Sequence, residues 1–137
     1  VLRIWDIPQE EFQPFVESYW WGLKNNADID YREDVKAVAV YGSVARGQAD
    51  DDSDIDFLVI TDDEEAEEVV TETLGSVRLK AEGSSKIGMT ETYSAEEYRD
   101  SLAHSSDFLE KIQDELHVIY DPNRYLRNPK EVLKDEF

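Results

Sequence analysis

The chain has 137 residues, of which 33 are acidic and 14 are basic, so its formal net charge is −19 at pH 7. A surface this acidic repels polyanions, which disfavours bulk nucleic acid as a substrate but still allows ATP neutralised by a bound metal ion. The sequence contains no cysteine, which excludes disulfides, thiol chemistry and cysteine-based zinc sites.

Composition and patterning indicate a folded protein. Apolar residues make up 40% of the chain and aromatic residues 11%, which argues against disorder despite the high charge. The length predicts one domain over residues 1–137. No apolar run approaches the roughly 20 residues of a membrane span, and no signal-peptide pattern is seen, so a soluble cytoplasmic protein is expected. The acid excess resembles that of halophilic proteins, with simple solubility as the alternative explanation.

The first predicted helix covers residues from about 9 to 25, after a lead-in in which Trp5 is expected to pack back on the body. Its apolar residues recur at helical spacing: Phe12, Phe15, Val16, Tyr19, Trp20 and Leu23. An aromatic face of this kind is typical of a helix that packs on a core. Trp21 falls outside this face and is a candidate contact residue.

Residues 37–60 carry the pattern around which the chain is organised. The apolar, β-branched run 37–41 predicts a buried strand. Gly42 ends it with a sharp turn that allows the backbone to approach a ligand closely. Ser43 is predicted as the N-cap of one helical turn over residues 44–46, whose free backbone N–H groups suit a phosphate.

The second strand of this unit, residues 54–60, is predicted to carry two carboxylates on one face. Residues i and i+2 of a strand point the same way, about 6.6 Å apart, so Asp54 and Asp56 can share hard cations such as Mg²⁺. Ile55 then points into the core. Two such ions can clamp the attacking and leaving oxygens in phosphoryl chemistry. The alternative is a solvated acidic loop that runs into a strand.

Three elements are predicted next. A helix over residues 62–74 is expected to end at Gly75, where a C-terminal glycine belongs. Its narrow buried face consists of Val69, Val70 and Leu74. A strand over residues 77–82 and a turn at residues 83–85 lead into a strand over residues 86–93.

Residues 94–121 are predicted to hold helices and a short terminal strand. Ser94 begins the first helix, and Glu97 lies where it would complete a capping box. The strand covers residues 117–120. A tail over residues 122–137 follows, and it is basic at first.

The central motif resembles a known family. Gly42 and Ser43, ten further residues, and then Asp54, Ile55 and Asp56 match the Gly-Ser-x10-Asp-x-Asp pattern of the DNA-polymerase-β-like nucleotidyltransferase superfamily. The string YGSVARGQADDDSDIDFLVI is most similar to its minimal nucleotidyltransferase branch, although that branch more often has Phe in place of the Tyr. The resemblance implies an α/β (α+β) fold, in which helices pack on a small mixed β-sheet of three to five strands.

The resemblance also implies an activity. An acceptor hydroxyl would attack the α-phosphate of ATP or another nucleoside triphosphate, and pyrophosphate would leave. Asp54 and Asp56 would hold two Mg²⁺ ions, with Mn²⁺ as a substitute. Gly42, Ser43 and Arg46 would bind the nucleotide, since a guanidinium suits phosphate geometry.

Several of these residues have ordinary structural alternatives. Ser43 could serve only as a helix N-cap, and Arg46 could form a salt bridge to the acidic run 50–52. His104 and His117 are expected at the surface or at a helix end rather than in catalysis.

Glu91 is the candidate for the family's third metal carboxylate, which lies on a later strand. It stands mid-strand among apolar residues, which is an unusual place for a charge without a role. The alternative is an edge-strand residue in solvent, and Glu82 is a weaker candidate. With neither, the site would have two carboxylates and would be slow or inactive.

Two functions of different classes remain open. The first transfers AMP to a hydroxyl of a protein or small molecule; by resemblance, the acceptor is a tyrosine of a HEPN-domain toxin whose antitoxin is this chain. The second is a weak or inactive binding module that neutralises a partner protein. A basic patch of Arg46, Lys86 and the tail, binding one RNA end, is the competing acceptor hypothesis. The sequence leaves open whether the protein is a monomer or an oligomer.

Overall fold

The computed structural model describes residues 6–104 and 106–126, so Trp5 and the tail from residue 127 onward lie outside the described residues. The strands are β1 Val35–Tyr41, β2 Ile55–Thr61, β3 Ser76–Ala81, β4 Ser84–Ser94 and β5 His117–Tyr120. The helices are α1 Gln13–Lys24, α2 Tyr31–Asp34, α3 Gly42–Arg46, α4 Glu64–Leu74, α5 Ala95–Ala103 and α6 Asp107–Ile112, with a 3-10 turn Glu10–Phe12 ahead of α1. Within these ranges, no helix is long and apolar enough to cross a membrane.

The strands form one five-stranded mixed sheet in the order β3-β4-β2-β1-β5. β1 pairs antiparallel with both β2 and β5, and β3 pairs antiparallel with β4. β2 and β4 are parallel, so the chain must cross over between them, and α4 with β3 forms this crossover. The expected small mixed sheet packed by helices is confirmed.

Helices cover both faces of the sheet, which explains why β1 and β2 are apolar along most of their length. α1 and α4 bury their apolar residues with Val38, Val40 and Phe57 on one face. α5 and α6 bury theirs with Ala39 and Leu58 on the other. Successive residues of β1 and β2 therefore point alternately toward α1 and α4 and toward α5 and α6.

The aromatic face of α1 belongs to the core, as predicted. Tyr19 stacks on Phe57 with ring centroids 3.6 Å apart and planes 7° from parallel. The Tyr19 hydroxyl donates to Thr90 Oγ1 (2.7 Å), because Thr90 uses its own hydrogen toward the carbonyl of Leu74 (2.6 Å). One side chain thus joins α1 to β2, β4 and the end of α4. Trp21, outside the face, is 53% exposed.

Some element boundaries differ from the predictions. β1 begins at Val35, two residues early. The turn between β3 and β4 consists of Glu82 and Gly83, both with positive φ (51° and 79°), so that β4 already begins at Ser84. Gly75 does end α4, but its φ of −54° is right-handed, so it is not the left-handed cap that the pattern predicts.

A carboxyl pair connects α4 to α5. Ser94 caps α5 by accepting a hydrogen bond from the Glu97 N–H (3.2 Å). The residue that accepts from the Ser94 N–H is Glu67 of α4, in place of the predicted Glu97, and the Glu67 carboxyl is hydrogen-bonded to Glu97. Burial, this hydrogen bond and the charges of Glu97 and Glu64 raise the pKa of Glu67 to about 7.

Glu67→Gln should therefore stabilise the protein at pH 8 by about 1 kcal/mol, after allowance for solvent screening, and have little effect at pH 5. The folded-state pKa is raised, so the stability from the protonated pair is complete below about pH 4.3 and is lost as the pH rises through about 7. An amide stays neutral at both pH values and keeps a donor for Glu97. Urea unfolding measures the difference. An equal gain in Glu68→Gln, an exposed neighbour on α4, would assign the effect to net charge instead.

Candidate active site

The sheet brings β1, β2 and β4 together at the end where β1 finishes. Tyr41 pairs with Asp56, and Asp56 pairs with Met89. Paired residues on neighbouring strands point to the same face, as do residues two apart on one strand, so Glu91 shares a face with Asp56. β3 pairs with β4 only as far as Met89, so Glu91 is paired with β2 alone. Its side chain is exposed, which agrees with the alternative of an edge residue in solvent.

The absence of a side chain at Gly42 makes room for the Asp56 carboxylate. Gly42 has a φ of +78°, a left-handed conformation that strains any residue with a Cβ. A Cβ added there would lie 2.6 Å from Asp56 Oδ2, which is closer than non-bonded atoms approach each other. The glycine of the Gly-Ser pair and the second aspartate are therefore direct neighbours in space.

Ser43 lies inside α3 rather than at its N-cap. The helix begins at Gly42, its N-cap is Tyr41, and no side chain caps it. The predicted N-cap role is wrong because the helical turn starts earlier than the pattern indicated. Helix capping therefore does not account for the Ser43 hydroxyl.

The two aspartates occupy different environments. Asp56 is half-buried within β2, whereas Asp54 is exposed and precedes the strand. The prediction that both belong to the strand is wrong, since pairing with β1 ends at Tyr41 and pairing with β4 begins only at Ile55. Asp54 thus has no strand partner on either side. Ile55 is fully buried, as predicted.

The acidic loop between α3 and β2 is held from two directions. Gln9 Nε2 donates to the carbonyl of Ala49 (2.9 Å), and the Ala49 N–H donates back to Gln9 Oε1 (2.8 Å). Lys86 of β4 donates to the carbonyl of Asp51 (2.7 Å), with its ammonium over the ring of Phe12. The loop that carries Asp54 is therefore held by Gln9, just before the 3-10 turn, and by Lys86 of β4.

Arg46 forms an ion pair that sequence reasoning missed. Its Nη1 lies 2.5 Å from Glu115 Oε2, and its Nε donates to Gln48 Oε1 (3.3 Å). The suggested salt bridge to the run 50–52 is therefore not the ion pair that Arg46 makes. Glu115 lies in the turn between α6 and β5, and it reaches α3 because β5 pairs with β1. The Arg46–Glu115 ion pair could be predicted only from the pairing of β5 with β1.

Carboxylates outnumber cations around Asp56. Burial raises the pKa of Asp56, and the charges of Asp54, Glu115 and Glu91 raise it further, whereas Arg46 lowers it. Such a set of oxygen donors suits a hard divalent cation, which would relieve the repulsion. Asp54 and Asp56 could hold the ion, with Glu91 on the same face. Within residues 6–104 and 106–126, however, no three carboxylate or imidazole side chains are already arranged to hold a metal.

The weaker candidate Glu82 and the two histidines, which are expected outside catalysis, lie in a turn or at the end of an element. Glu82 is exposed in the turn between β3 and β4. His104 ends α5, where its Nδ1 lies 2.7 Å from the carbonyl of Asp100, which agrees with the expected helix-end role. His117 is the first residue of β5.

A family model described as a nucleotidyltransferase domain matches residues 23–136, which include the motif turn, the aspartate pair, β4 and the turn between α6 and β5. The chain belongs to the nucleotidyltransferase domain family. The resemblance drawn from the Gly-Ser-x10-Asp-x-Asp spacing is thereby confirmed, and membership of the family supports a general nucleotidyl transfer function. Nucleotidyltransferases of this family generally use nucleoside triphosphates and divalent metal ions. A comparison with curated proteins finds no match.

Gly42→Ala should lower the affinity of the protein for Mn²⁺ at least tenfold and destabilise the fold by roughly 1–2 kcal/mol. The new Cβ has to displace the Asp56 carboxylate. Gly83→Ala is the matched control, since Gly83 has a φ of +79° and nothing within 4 Å of its added Cβ. Calorimetric titration should show unchanged Mn²⁺ affinity in the control. Equal affinities in both variants would mean that Gly42 serves the backbone alone.

Replacing both aspartates, Asp54→Asn with Asp56→Asn, should abolish site-specific Mn²⁺ binding and leave the fold intact. Removing two adjacent like charges should also maintain or raise the stability of the metal-free protein. The control, Asp51→Asn with Asp52→Asn, makes the same charge change in the exposed loop. It also corrects for nonspecific cation binding to a chain of net charge −19. Unchanged affinity in the Asp54/Asp56 variant would reject the aspartates as the metal site.

Proposed function

We propose that this protein acts as a single domain over residues 1–137 and transfers AMP from ATP to a hydroxyl of a protein or small molecule. The close approach of Gly42 to the Asp56 carboxylate is the observation that carries the proposal. It joins a turn suited to phosphate with a side chain suited to a metal ion, as nucleotidyl transfer requires.

In the reaction, the acceptor oxygen bonds to the α-phosphorus of ATP, the bond from that phosphorus to the bridging oxygen breaks, and pyrophosphate leaves. Gly42 and Ser43 hold the phosphates through backbone N–H groups, with the Ser43 hydroxyl and the Arg46 guanidinium as further donors. Asp54 and Asp56 would hold two Mg²⁺ ions, which would neutralise charge on the triphosphate and make the acceptor hydroxyl more acidic. Glu91 completes the carboxylate set and receives the acceptor's proton.

The surroundings of Asp56 support a protein or small-molecule acceptor. Its strand neighbour Met89 is 40% exposed, which offers an apolar contact beside the carboxylates. Polyanion binding relies on clustered Lys and Arg. Arg46 lies among carboxylates rather than in a cluster of cations, and Lys86 is bonded to a loop carbonyl, which argues against a patch for an RNA end. We take a tyrosine hydroxyl of a HEPN-domain toxin partner as the acceptor, with this chain as the antitoxin.

A second candidate function is a weak or inactive binding module that neutralises a partner protein. The observation in its favour is that, in the described part of the chain, the carboxylates do not converge into a group of three that could hold a metal. Neutralisation by binding alone would not depend on Asp54 and Asp56, whereas nucleotidyl transfer would require both.

The test uses ATP labelled at the α-phosphate and, in parallel, at the γ-phosphate, with Mg²⁺ and either purified RNA or a candidate HEPN-domain protein. Nucleotidyl transfer predicts that the α-label joins the protein acceptor and the γ-label does not. The label should be lost with Asp54→Asn and retained with Asp51→Asn, which changes the same charge in the loop.

Each result points to one function. Metal-dependent α-label on RNA alone would overturn the proposed acceptor. Partner neutralisation without any label, and equally strong in the Asp54→Asn protein, would favour the binding module.

A further inference from the structure

We propose that Glu115 opposes nucleotide binding by occupying the guanidinium of Arg46 in the nucleotide-free protein. The carboxylate takes the place of a phosphate oxygen, so that a nucleotide must displace it to reach Arg46. This inference rests on the proposed function, because it assumes that Arg46 contacts the triphosphate. It adds a residue, outside the motif, that sets the strength and metal dependence of nucleotide binding.

The geometry of the pair resembles an occupied anion site. Glu115 Oε2 accepts a charge-assisted hydrogen bond from Arg46 Nη1. The Glu115 side chain is 15% exposed, whereas that of Arg46 is 44% exposed. The guanidinium is therefore partly open to solvent and to an incoming ligand, whereas the carboxylate that it contacts is mostly buried.

The main chain holds Glu115 in this position. The Glu115 N–H donates to the carbonyl of Ile112 (3.0 Å) at the end of α6, and β5 begins two residues later at His117. Arg46 is held as well, since its Nε donates to Gln48 Oε1. The contact is therefore a fixed feature of the packing between the α6–β5 turn and α3.

The surrounding charge gives this contact its effect. Among the described residues that act on the Asp56 carboxyl, Arg46 is the cation, while Asp54, Glu115 and Glu91 are anions. A metal-free triphosphate approaching this face meets net negative charge, and the guanidinium that could attract it already has a partner. A divalent cation on the carboxylates shifts the balance, since phosphate oxygens then compete for Arg46 with less repulsion. Glu115 therefore favours the metal–nucleotide complex over free anions.

The probe is α,β-methylene-ATP, which cannot transfer its α-phosphate, titrated by calorimetry with Mg²⁺ and separately with EDTA. Glu115→Gln should bind it about three to ten times more tightly than the wild type, with the larger gain in EDTA. Asp114→Asn is the matched control, because it removes the neighbouring exposed charge without touching the ion pair. Its affinity should stay within about twofold of the wild type.

A double-mutant cycle separates competition for Arg46 from simple charge relief. In an Arg46→Ala background, Glu115→Gln should change the affinity by less than about twofold, because the contested guanidinium is gone. A gain as large as in the Arg46 background would overturn the proposal. Equal binding by the Glu115→Gln single variant would also overturn it. Weaker binding would overturn it as well, and would mean that Glu115 orients Arg46 toward the nucleotide.

Two further outcomes keep the test decisive. If Glu115→Gln does not fold, Glu115→Asp retains the charge but stops one methylene short of Arg46; tighter binding supports the proposal and unchanged binding overturns it. If the wild type and all variants fail to bind the analogue even with Mg²⁺, the proposed function fails and this inference with it. Binding by the wild type without a difference in Glu115→Gln overturns the inference alone.

Discussion

The close approach of the Gly42 backbone to the Asp56 carboxylate is the constraint on which the rest of the site depends. It requires β1 and β2 to pair so that Tyr41 stands opposite Asp56. A slip of one residue would turn the Asp56 carboxylate toward α1 and turn Phe57 toward the face covered by α5 and α6. The apolar residues of both strands are buried on two sides, and their burial holds this register. Packing of the core therefore holds the Asp56 carboxylate against Gly42.

The site concentrates like charge that the fold alone would disfavour. Burial and the charges of Asp54, Glu115 and Glu91 work together to raise the pKa of Asp56, and Arg46 offsets only part of this. Such perturbation is typical of functional sites, where local stability is given up for chemistry. In the same region Arg46 pairs with Glu115, which partly neutralises both charges. Acidic residues are therefore concentrated around Asp56 as well as distributed over the rest of the surface.

Local periodicity was sufficient to predict most elements. The apolar residues of α1 repeat at helical spacing over several turns, and the runs in β1 and β2 are too short and too β-branched for a buried helix. The errors fall at element ends. Asp54 lies outside β2 because a strand begins where a neighbouring strand offers hydrogen bonds, which is not encoded in the residue itself. Ser43 lies inside α3 for a similar reason, since the helical turn starts directly where β1 ends.

The sequence by itself determined the family, the mixed sheet with its packed helices, and the spacing that unites Gly42 with Asp56, because all of these follow from residues close together along the chain. It also placed Glu91 within a strand, where β4 has it. Only the tertiary structure decided the partners of Arg46 and Glu67. Arg46 meets Glu115 across 69 positions of sequence, and Glu67 meets Glu97 across two helices. Such pairs depend on which strands and helices become neighbours, and no local pattern of charge or hydrophobicity carries that information.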